Sequence, residues 1–332
     1  MLLSEVDRKI GLMQAAARCI ADPRSPLLIK HGVRDMLRQR VYGLALGWED
    51  LSDHGALRQD VAIQTAIGVD REVASAPALC RLEKWADRAT AWRLPAVLVD
   101  QFIASFKTAP EELVLDVDAT DNLLKLLVTR LRQKWPQVRI VLRGDSGFCR
   151  QRILNYCERA GVHYIAGLAR NPRLQGITEF LELAMKDEFE RTAHKQREVG
   201  EFVYAAQRWA RQRRVITRLE YGEQGNNPRY VVTKLAGDAQ ALYDGLYCQR
   251  GEAERRIKEA QVGLFATRTS CQHFQGNQLR VLLALLLVIQ ALAHLARRLM
   301  KTRNTRRIRL YLASNGPCAD IFAHAMRQLR SP

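Results

Sequence analysis

The amino-acid sequence predicts an α/β protein with a helical N-terminal region and a β-rich insertion. Three observations lead to this prediction. Residues 110–172 alternate between strand-like apolar runs and helix-like segments, an order typical of a layered α/β domain. Residues 1–109 have mostly helical spacing, and residues 173–237 contain three strand-like stretches separated by turn-forming residues.

The N-terminal region, residues 1–109, is expected to be a set of helices interrupted at Asp22-Pro23. After this break an amphipathic helix resumes, with Arg34, Arg38 and Arg40 beside an apolar stripe. Arginines on one helix face suit contact with a DNA backbone. They equally suit the solvated face of a helical bundle, so both interpretations remain open.

The central region contains the predicted α/β core. Strands are expected over 112–118, 138–144 and 163–168, alternating with helices over 122–134 and 149–160. The strands are nearly continuous apolar runs, which indicates a sheet covered on both faces. The core is expected to comprise residues 110–172 and 238–332, with the β-rich residues 173–237 inserted between its two parts.

One apolar run, residues 281–296, resembles a membrane span. A span needs about 20 apolar residues, whereas this run is shorter and contains Gln290 and His294. We therefore expect a buried core helix and no membrane partner. Seven scattered cysteines without close pairing, and no secretory signal at the start of the sequence, favour reduced thiols and a cytoplasmic location.

The charge of the chain indicates a polyanionic partner. The 52 Lys and Arg residues exceed the 35 Asp and Glu residues, giving a formal net charge of +17. Nucleic acid is the leading candidate, although a basic protein without such a partner has the same composition. In the insertion, Arg211, Arg213 and Arg214 are candidate DNA contacts. Because the Cys and His residues lack metal-site spacing, Asp and Glu remain as ligands, which favours Mg²⁺ or Mn²⁺.

Two aspartates follow predicted strands. Asp118, in "LVLDVDAT", is the last residue of the strand predicted over 112–118, and Asp145 follows "VRIVLRG". Ligands of open α/β sheets bind at the carboxyl ends of strands, which makes both residues candidate metal ligands. An alternative role is helix capping, in which Asp121 caps the helix from 122 and Asp145 caps the helix from about 149.

A third carboxylate lies on a predicted basic helix. Tyr247, Arg250, Glu254 and Lys258 are spaced three, four and four residues apart, so they share one helix face. A glutamate between two cations could hold a metal while the cations bind DNA phosphates. The alternative is an ordinary exposed face with a weak ion pair between Arg250 and Glu254.

The motifs "LDVDATD", "RGDSGF" and Y-x-x-R-x-x-x-E resemble those of bacterial insertion-sequence DDE transposases, in the group 1 branch with a Tyr-Arg-Glu-Lys signature. The resemblance implies an RNase H-like core in which Asp118, Asp145 and Glu254 are the catalytic and metal-binding residues. Tyr247 and Arg250 match the signature as DNA-binding residues. The signature lysine falls on Gln261, and Lys258 could take its place.

The resemblance also implies an activity. Such transposases use Mg²⁺ to cut DNA at the terminal inverted repeats of their element and to join the ends to target DNA, acting as a dimer in the DNA complex at the bacterial nucleoid. The alternative is a catalytically inactive remnant that still binds DNA.

The chain departs from the family pattern just after Asp121. Asn122 follows "DATD" and leads directly into a helix-like segment, where the family has further residues that form two strands. An internal deletion at this position is expected to leave one edge of the sheet exposed.

Overall fold

The structure is a computed structural model that describes residues 2–116, 121–251, 255, 258–259, 262 and 271–302. It divides into two compact units. The first contains residues 1–105 and 256–332, and the second contains residues 106–255. The α-helices are α1 (Leu2–Ile10), α2 (Leu12–Ala17), α3 (Val33–Ala45), α4 (Val61–Ile67), α5 (Ala76–Trp85), α6 (Arg88–Ala104), α7 (Asp121–Lys134), α8 (Gln151–Arg159), α9 (Pro172–Thr192) and α10 (Phe274–Thr302).

The first unit is a helical bundle built around α10. This helix packs against α1, α3, α5 and α6. Its side chains Leu279, Leu283 and Leu287 are buried in one apolar core with Leu12 and Leu37. The segment therefore belongs to a protein core, as the sequence predicted.

Among the described residues, one helix, α10, is apolar and long enough to cross a membrane, over Phe274–Ala291.

The packing of α10 also changes the division of the chain into domains. The sequence grouped residues 238–332 with the α/β core, whereas residues from 256 onward group with the N-terminal helices. Hydrophobic periodicity shows that a helix has a buried face but not which neighbour covers that face.

Two arginines of α3 lie inside the bundle. Arg38 forms an ion pair with buried Asp7, with a distance of 2.7 Å from Nη2 to Oδ2. Arg40 is buried, and its Nη1 lies 2.9 Å from Nε2 of His54. The guanidinium groups of Arg38 and Arg40 therefore bind protein partners within the bundle, whereas Arg34 is 46% exposed and pairs with Asp35.

Burial and the charge of Arg40 lower the pKa of His54 to about 3. The imidazole is therefore neutral in the folded protein, whereas it titrates near pH 6.5 when unfolded. A depressed histidine pKa means that protons bind the unfolded chain more readily, so acid favours unfolding. The contribution of His54 to stability is complete above about pH 6.5 and falls as the pH drops from there toward 3.

We therefore expect the free energy of unfolding to fall by up to about 1.4 kcal/mol per pH unit below pH 6.5 through His54. Urea unfolding of the wild type and of His54→Gln, measured at several pH values between 7 and 5, isolates this contribution. The variant should be less stable at pH 7 but less sensitive to acid. Parallel pH profiles for the two proteins would contradict the assignment.

The second unit is built on a single mixed sheet. Its strands are β1 (Glu112–Asp116), β2 (Arg139–Gly144), β3 (His163–Leu168), β4 (Gln196–Tyr204), β5 (Arg213–Gly222), β6 (Gly225–Asn226) and β7 (Arg229–Thr233). The order is β1-β2-β3-β7-β5-β4, and β6 pairs with β5. Strands β1, β2 and β3 are parallel, and the later pairs are antiparallel. The mixed α/β fold predicted from the sequence is therefore present.

The β-rich insertion continues this sheet. Strand β7 pairs with β3 along Leu168↔Tyr230 and Ile165↔Thr233, and β5 and β4 follow outward. Helix α9 packs against β4 and β5. The insertion is thus an extension of the core sheet.

Strand β1 lies at one end of the sheet. Within the described residues, no strand pairs with its outer edge, and Val114 is 37% exposed. Its other edge is paired with β2 through the whole strand, from Glu112↔Arg139 to Asp116↔Arg143. The deletion that the sequence predicted after Asp121 stays a prediction.

Candidate active site

The candidate site lies at the carboxyl ends of the three parallel strands. Asp116 ends β1, Gly144 ends β2, and Leu168 ends β3. Because parallel strands end at the same edge of the sheet, the residues that follow them come together there. Asp145 is the first residue after β2.

Asp145 caps the turn that follows β2 and not the helix predicted from about 149, which starts at Gln151 with Arg150 as its N-cap. The Oδ1 of Asp145 accepts a hydrogen bond of 2.8 Å from the Gly147 backbone N–H and caps a short 3₁₀-helix, Ser146–Phe148. Helix α8 begins later than predicted because this extra turn precedes it. The side chain remains half exposed, and its Oδ2 lies 3.6 Å from Nη2 of Arg250. Capping therefore leaves the carboxylate accessible for ligands.

The segment that carries Tyr247 and Arg250 is anchored to the strand ends by Arg143. This segment begins with a π-helix, Ala241–Tyr247. The Nη1 of Arg143 donates a 2.6 Å hydrogen bond to the Leu246 carbonyl. The same guanidinium binds both carboxylate oxygens of Asp116, at 2.5 and 2.6 Å.

Arg143 was not identified from the sequence as a site residue. The available signal was a charged residue directly after the apolar residues 140–142 of the run "VRIVLRG", which also contains Arg139. Its side chain is 8% exposed and that of Asp116 is 25% exposed. A buried charge needs a hydrogen-bonded partner, and strand register supplies it, because Asp116 and Arg143 are paired positions of β1 and β2.

Tyr247 lies against the backbone that presents Asp145. A Cβ atom on Gly167 would lie 2.8 Å from the Tyr247 hydroxyl and 2.9 Å from the Ser146 backbone nitrogen. Gly167 thus permits the close approach of β3, Ser146 and Tyr247. Burial raises the pKa of Tyr247; Arg250 lowers it and Asp145 raises it, and the net shift is upward. The phenol is therefore protonated at neutral pH and can donate a hydrogen bond.

This close approach predicts a strong effect of Gly167→Ala. The added methyl group clashes with a backbone atom that cannot move alone, so we expect a loss of about 1–3 kcal/mol in the free energy of unfolding. Gly176→Ala is the matched control, because nothing lies within 4 Å of a Cβ there. In the interior of α9 that change should stabilise by about 0.5–1 kcal/mol. Equal effects of the two variants in urea unfolding would contradict the packing described for Gly167.

The structure thus brings three predicted site residues together: Asp145, Tyr247 and Arg250. Asp118 and Glu254 lie outside the described residues. Lys258 is an exposed helical residue grouped with the first unit.

The three arginines of the insertion differ in accessibility. Arg213 is buried, binds Glu158 at 2.9 Å and stacks on Trp209, with 4.9 Å from Cζ to the ring centroid. Arg213 therefore stabilises the sheet. Because its side chain is buried, the prediction that it contacts DNA directly is wrong. Arg211 is 59% exposed and pairs with the same Glu158.

Arg214 is partly exposed. It pairs with Glu201 and donates hydrogen bonds to the carbonyls of Leu235, at 2.8 Å, and Gly237, at 2.7 Å. Arg211 and Arg214 thus keep an accessible face, so they remain candidate DNA contacts.

The donor chemistry at Asp145 fits a hard cation. Oδ1 accepts one backbone hydrogen bond, and the half-exposed carboxylate retains further lone pairs at the carboxyl end of β2. Within the described ranges, no three His, Cys, Asp or Glu side chains form a metal-binding group.

A family model described as "Transposase DDE domain group 1" matches residues 1–124 and 121–331. The two matched segments together cover nearly the whole chain and meet at residues 121–124. No curated protein matches the sequence.

Proposed function

Because the chain belongs to the family of transposases with a group 1 DDE domain, we propose that it catalyses metal-dependent DNA cleavage and strand transfer of an insertion sequence. The observation that carries the proposal is the assembly of Tyr247 and Arg250 beside Asp145. Their spacing in the sequence matched the transposase signature, and the contact of 3.6 Å between Arg250 and Asp145 supports a shared site.

We assign the metal-binding and catalytic roles to Asp118, Asp145 and Glu254. These carboxylates would hold Mg²⁺, with Mn²⁺ as a substitute, since hard oxygen donors suit both ions. When bound, the metal supplies a Lewis acid that stabilises charge on the transferring phosphoryl group and activates the attacking hydroxyl. The parallel strands β1, β2 and β3 with α7 and α8 support an RNase H-like core for these residues.

The neighbouring residues position the DNA. Arg250 carries the positive charge that balances a phosphate beside Asp145. The protonated Tyr247 donates a hydrogen bond to a phosphate oxygen. Arg143 holds both residues in place through the Leu246 carbonyl. Lys258 is proposed as a further phosphate contact.

The partner is DNA at two stages of the reaction, first the terminal inverted repeats of the element and then the target. The net charge of +17 supports binding to the phosphate backbone. A dimer in the DNA complex, in the bacterial cytoplasm, would allow two ends to be cut together.

A second candidate function is DNA binding without catalysis. Two observations favour it: β1 lies at the sheet edge, and the two family matches meet at residues 121–124. Both support an internal deletion after Asp121 that removes two strands beside the strand preceding Asp118. Losing these strands would weaken the support for that aspartate.

Incubation of the purified chain with Mg²⁺ and DNA carrying the element's ends separates the two functions. Nicks at the ends of the element support the proposed transposase. DNA that is bound in a gel-shift assay but remains intact supports the inactive alternative.

A further inference from the structure

A large cavity opens next to the candidate active site, within the second unit. Its volume is about 850 Å³. It lies where α8 and α9 begin, with Arg150 before α8 and Asn171 before α9. Asp145 precedes Arg150 by only five residues, across one 3₁₀ turn. The Arg150 side of the cavity is therefore the part that lies nearest to Asp145 along the chain.

The lining of the cavity is strongly basic. Arg150, Arg173 and Arg208 line it, and all three are exposed. None of the described lining residues is acidic. Three guanidinium groups around one concave surface, without a carboxylate to neutralise them, create a positive potential that attracts an anion. Guanidinium groups also match the geometry of phosphate oxygens.

The wall that carries these arginines is held in place by aromatic contacts. Arg173 lies over the ring of Tyr204, at 5.6 Å from Cζ to the centroid, and its Nη1 donates to the Ala205 carbonyl at 3.2 Å. Tyr204 packs edge-on against Trp209, with 5.8 Å between centroids. Trp209 is in turn stacked on buried Arg213. A preorganised wall lowers the entropic cost of binding a ligand.

The size of the cavity limits the form of the anion. Its volume lies in the range of pockets for small ligands, about 300–1,000 Å³. A nucleotide unit of a single strand fits this space, whereas a duplex is too wide to enter.

We propose that this cavity binds the phosphate backbone of a single DNA strand that leads to Asp145. The identity of the ligand rests on the proposed function. Arg173 and Arg208 contact successive phosphates, and Arg150 contacts the phosphate nearest the site. These residues position the strand and take no part in bond cleavage.

Binding is measured in proteins that also carry Asp145→Asn, so that the readout does not depend on DNA cleavage. Binding of a labelled single-stranded oligonucleotide is followed by fluorescence anisotropy over a range of salt concentrations. The cavity variant is Arg173→Gln with Arg208→Gln. The matched control is Lys186→Gln with Arg191→Gln, which removes the same charge on α9, with Arg191 about 27 Å from Arg173 along the helix.

Each phosphate contact to a single strand contributes about 0.7 to the slope of log affinity against log salt. The cavity variant should therefore bind more weakly, with a slope smaller by about 1.4. The control should keep most of the wild-type slope. An equal slope for the cavity variant and the control would overturn the proposal.

Two further measurements complete the test. If the double variant loses its fold, Arg208→Gln alone should lower the slope by about 0.7, and an unchanged slope overturns the proposal. Displacement of the oligonucleotide by inorganic phosphate at constant ionic strength would assign the cavity to a small anion and also overturn it. If the cavity variant has the smaller slope but the wild-type protein does not cut DNA, the result supports strand binding in the cavity and contradicts the proposed function.

Discussion

Asp145→Asn is expected to reduce Mg²⁺-dependent DNA cleavage by at least about 1,000-fold, a loss of roughly 4 kcal/mol of transition-state stabilisation. The carboxylate charge that would bind the metal is lost, whereas the remaining amide oxygen can still accept the Gly147 N–H. Asparagine is as good an N-cap as aspartate, so the fold and DNA binding should be retained.

Cleavage of end-bearing DNA, followed on denaturing gels, measures this effect. Asp187→Asn is the matched control, since Asp187 is an exposed residue on α9 remote in sequence from the strand ends. It should cut DNA like the wild type. Equal cleavage by Asp145→Asn and the control would remove Asp145 from the catalytic site.

Arg143→Met is expected to lower the free energy of unfolding by about 1–3 kcal/mol, because a carbonyl and a partly exposed carboxylate lose their hydrogen bonds to a buried guanidinium group. The substitution leaves the Asp116 carboxylate and the Leu246 carbonyl without their 2.5–2.6 Å partners. It should also loosen the segment that carries Tyr247 and Arg250, so cleavage should fall together with stability.

The same two strands offer a matched control. Arg139 pairs with Glu112 at 2.9 Å, but these side chains are 51% and 44% exposed. Arg139→Met should therefore cost less than about 1 kcal/mol. Urea unfolding of both variants compares a partly buried with an exposed ion pair at paired positions of β1 and β2. Equal costs would contradict the anchoring role of Arg143.

Local patterns predicted much of the core. Strand β3 was predicted at its observed residues, and β2 within one residue, because continuous apolar runs distinguish buried strands from their flanking turns. The later start of α8 was not predicted, since the cap that Asp145 forms on its own turn competes with the cap it could have formed on the helix.

Properties that depend on distant contacts were not predicted. The pairing of Arg143 with Asp116 depends on the register of β1 against β2, which local spacing does not contain. For the same reason, Arg213 was predicted as a DNA contact, although Glu158 and Trp209 enclose it. The packing of α10 with the N-terminal helices also depends on tertiary contacts.

The candidate site was predicted in part. Tyr247 and Arg250 were predicted to share one α-helix face, whereas Tyr247 ends a π-helix and a turn at 248–249 separates it from Arg250. The contact of Arg250 with Asp145 was not predicted. The roles of Asp118, Glu254 and Lys258 remain predictions, because no described contact joins them to Asp145.

The central claim is that Asp118, Asp145 and Glu254 form one metal site. Anomalous diffraction from crystals of the chain with Mn²⁺ and a DNA end tests it most directly. We predict a Mn²⁺ ion bound by carboxylate oxygens of Asp118 and Asp145, near the distance of about 2.1 Å that Mg²⁺ adopts, with Glu254 completing the ligands. A Mn²⁺ ion bound elsewhere, or an Asp145 carboxylate without metal in the presence of DNA, would contradict the claim.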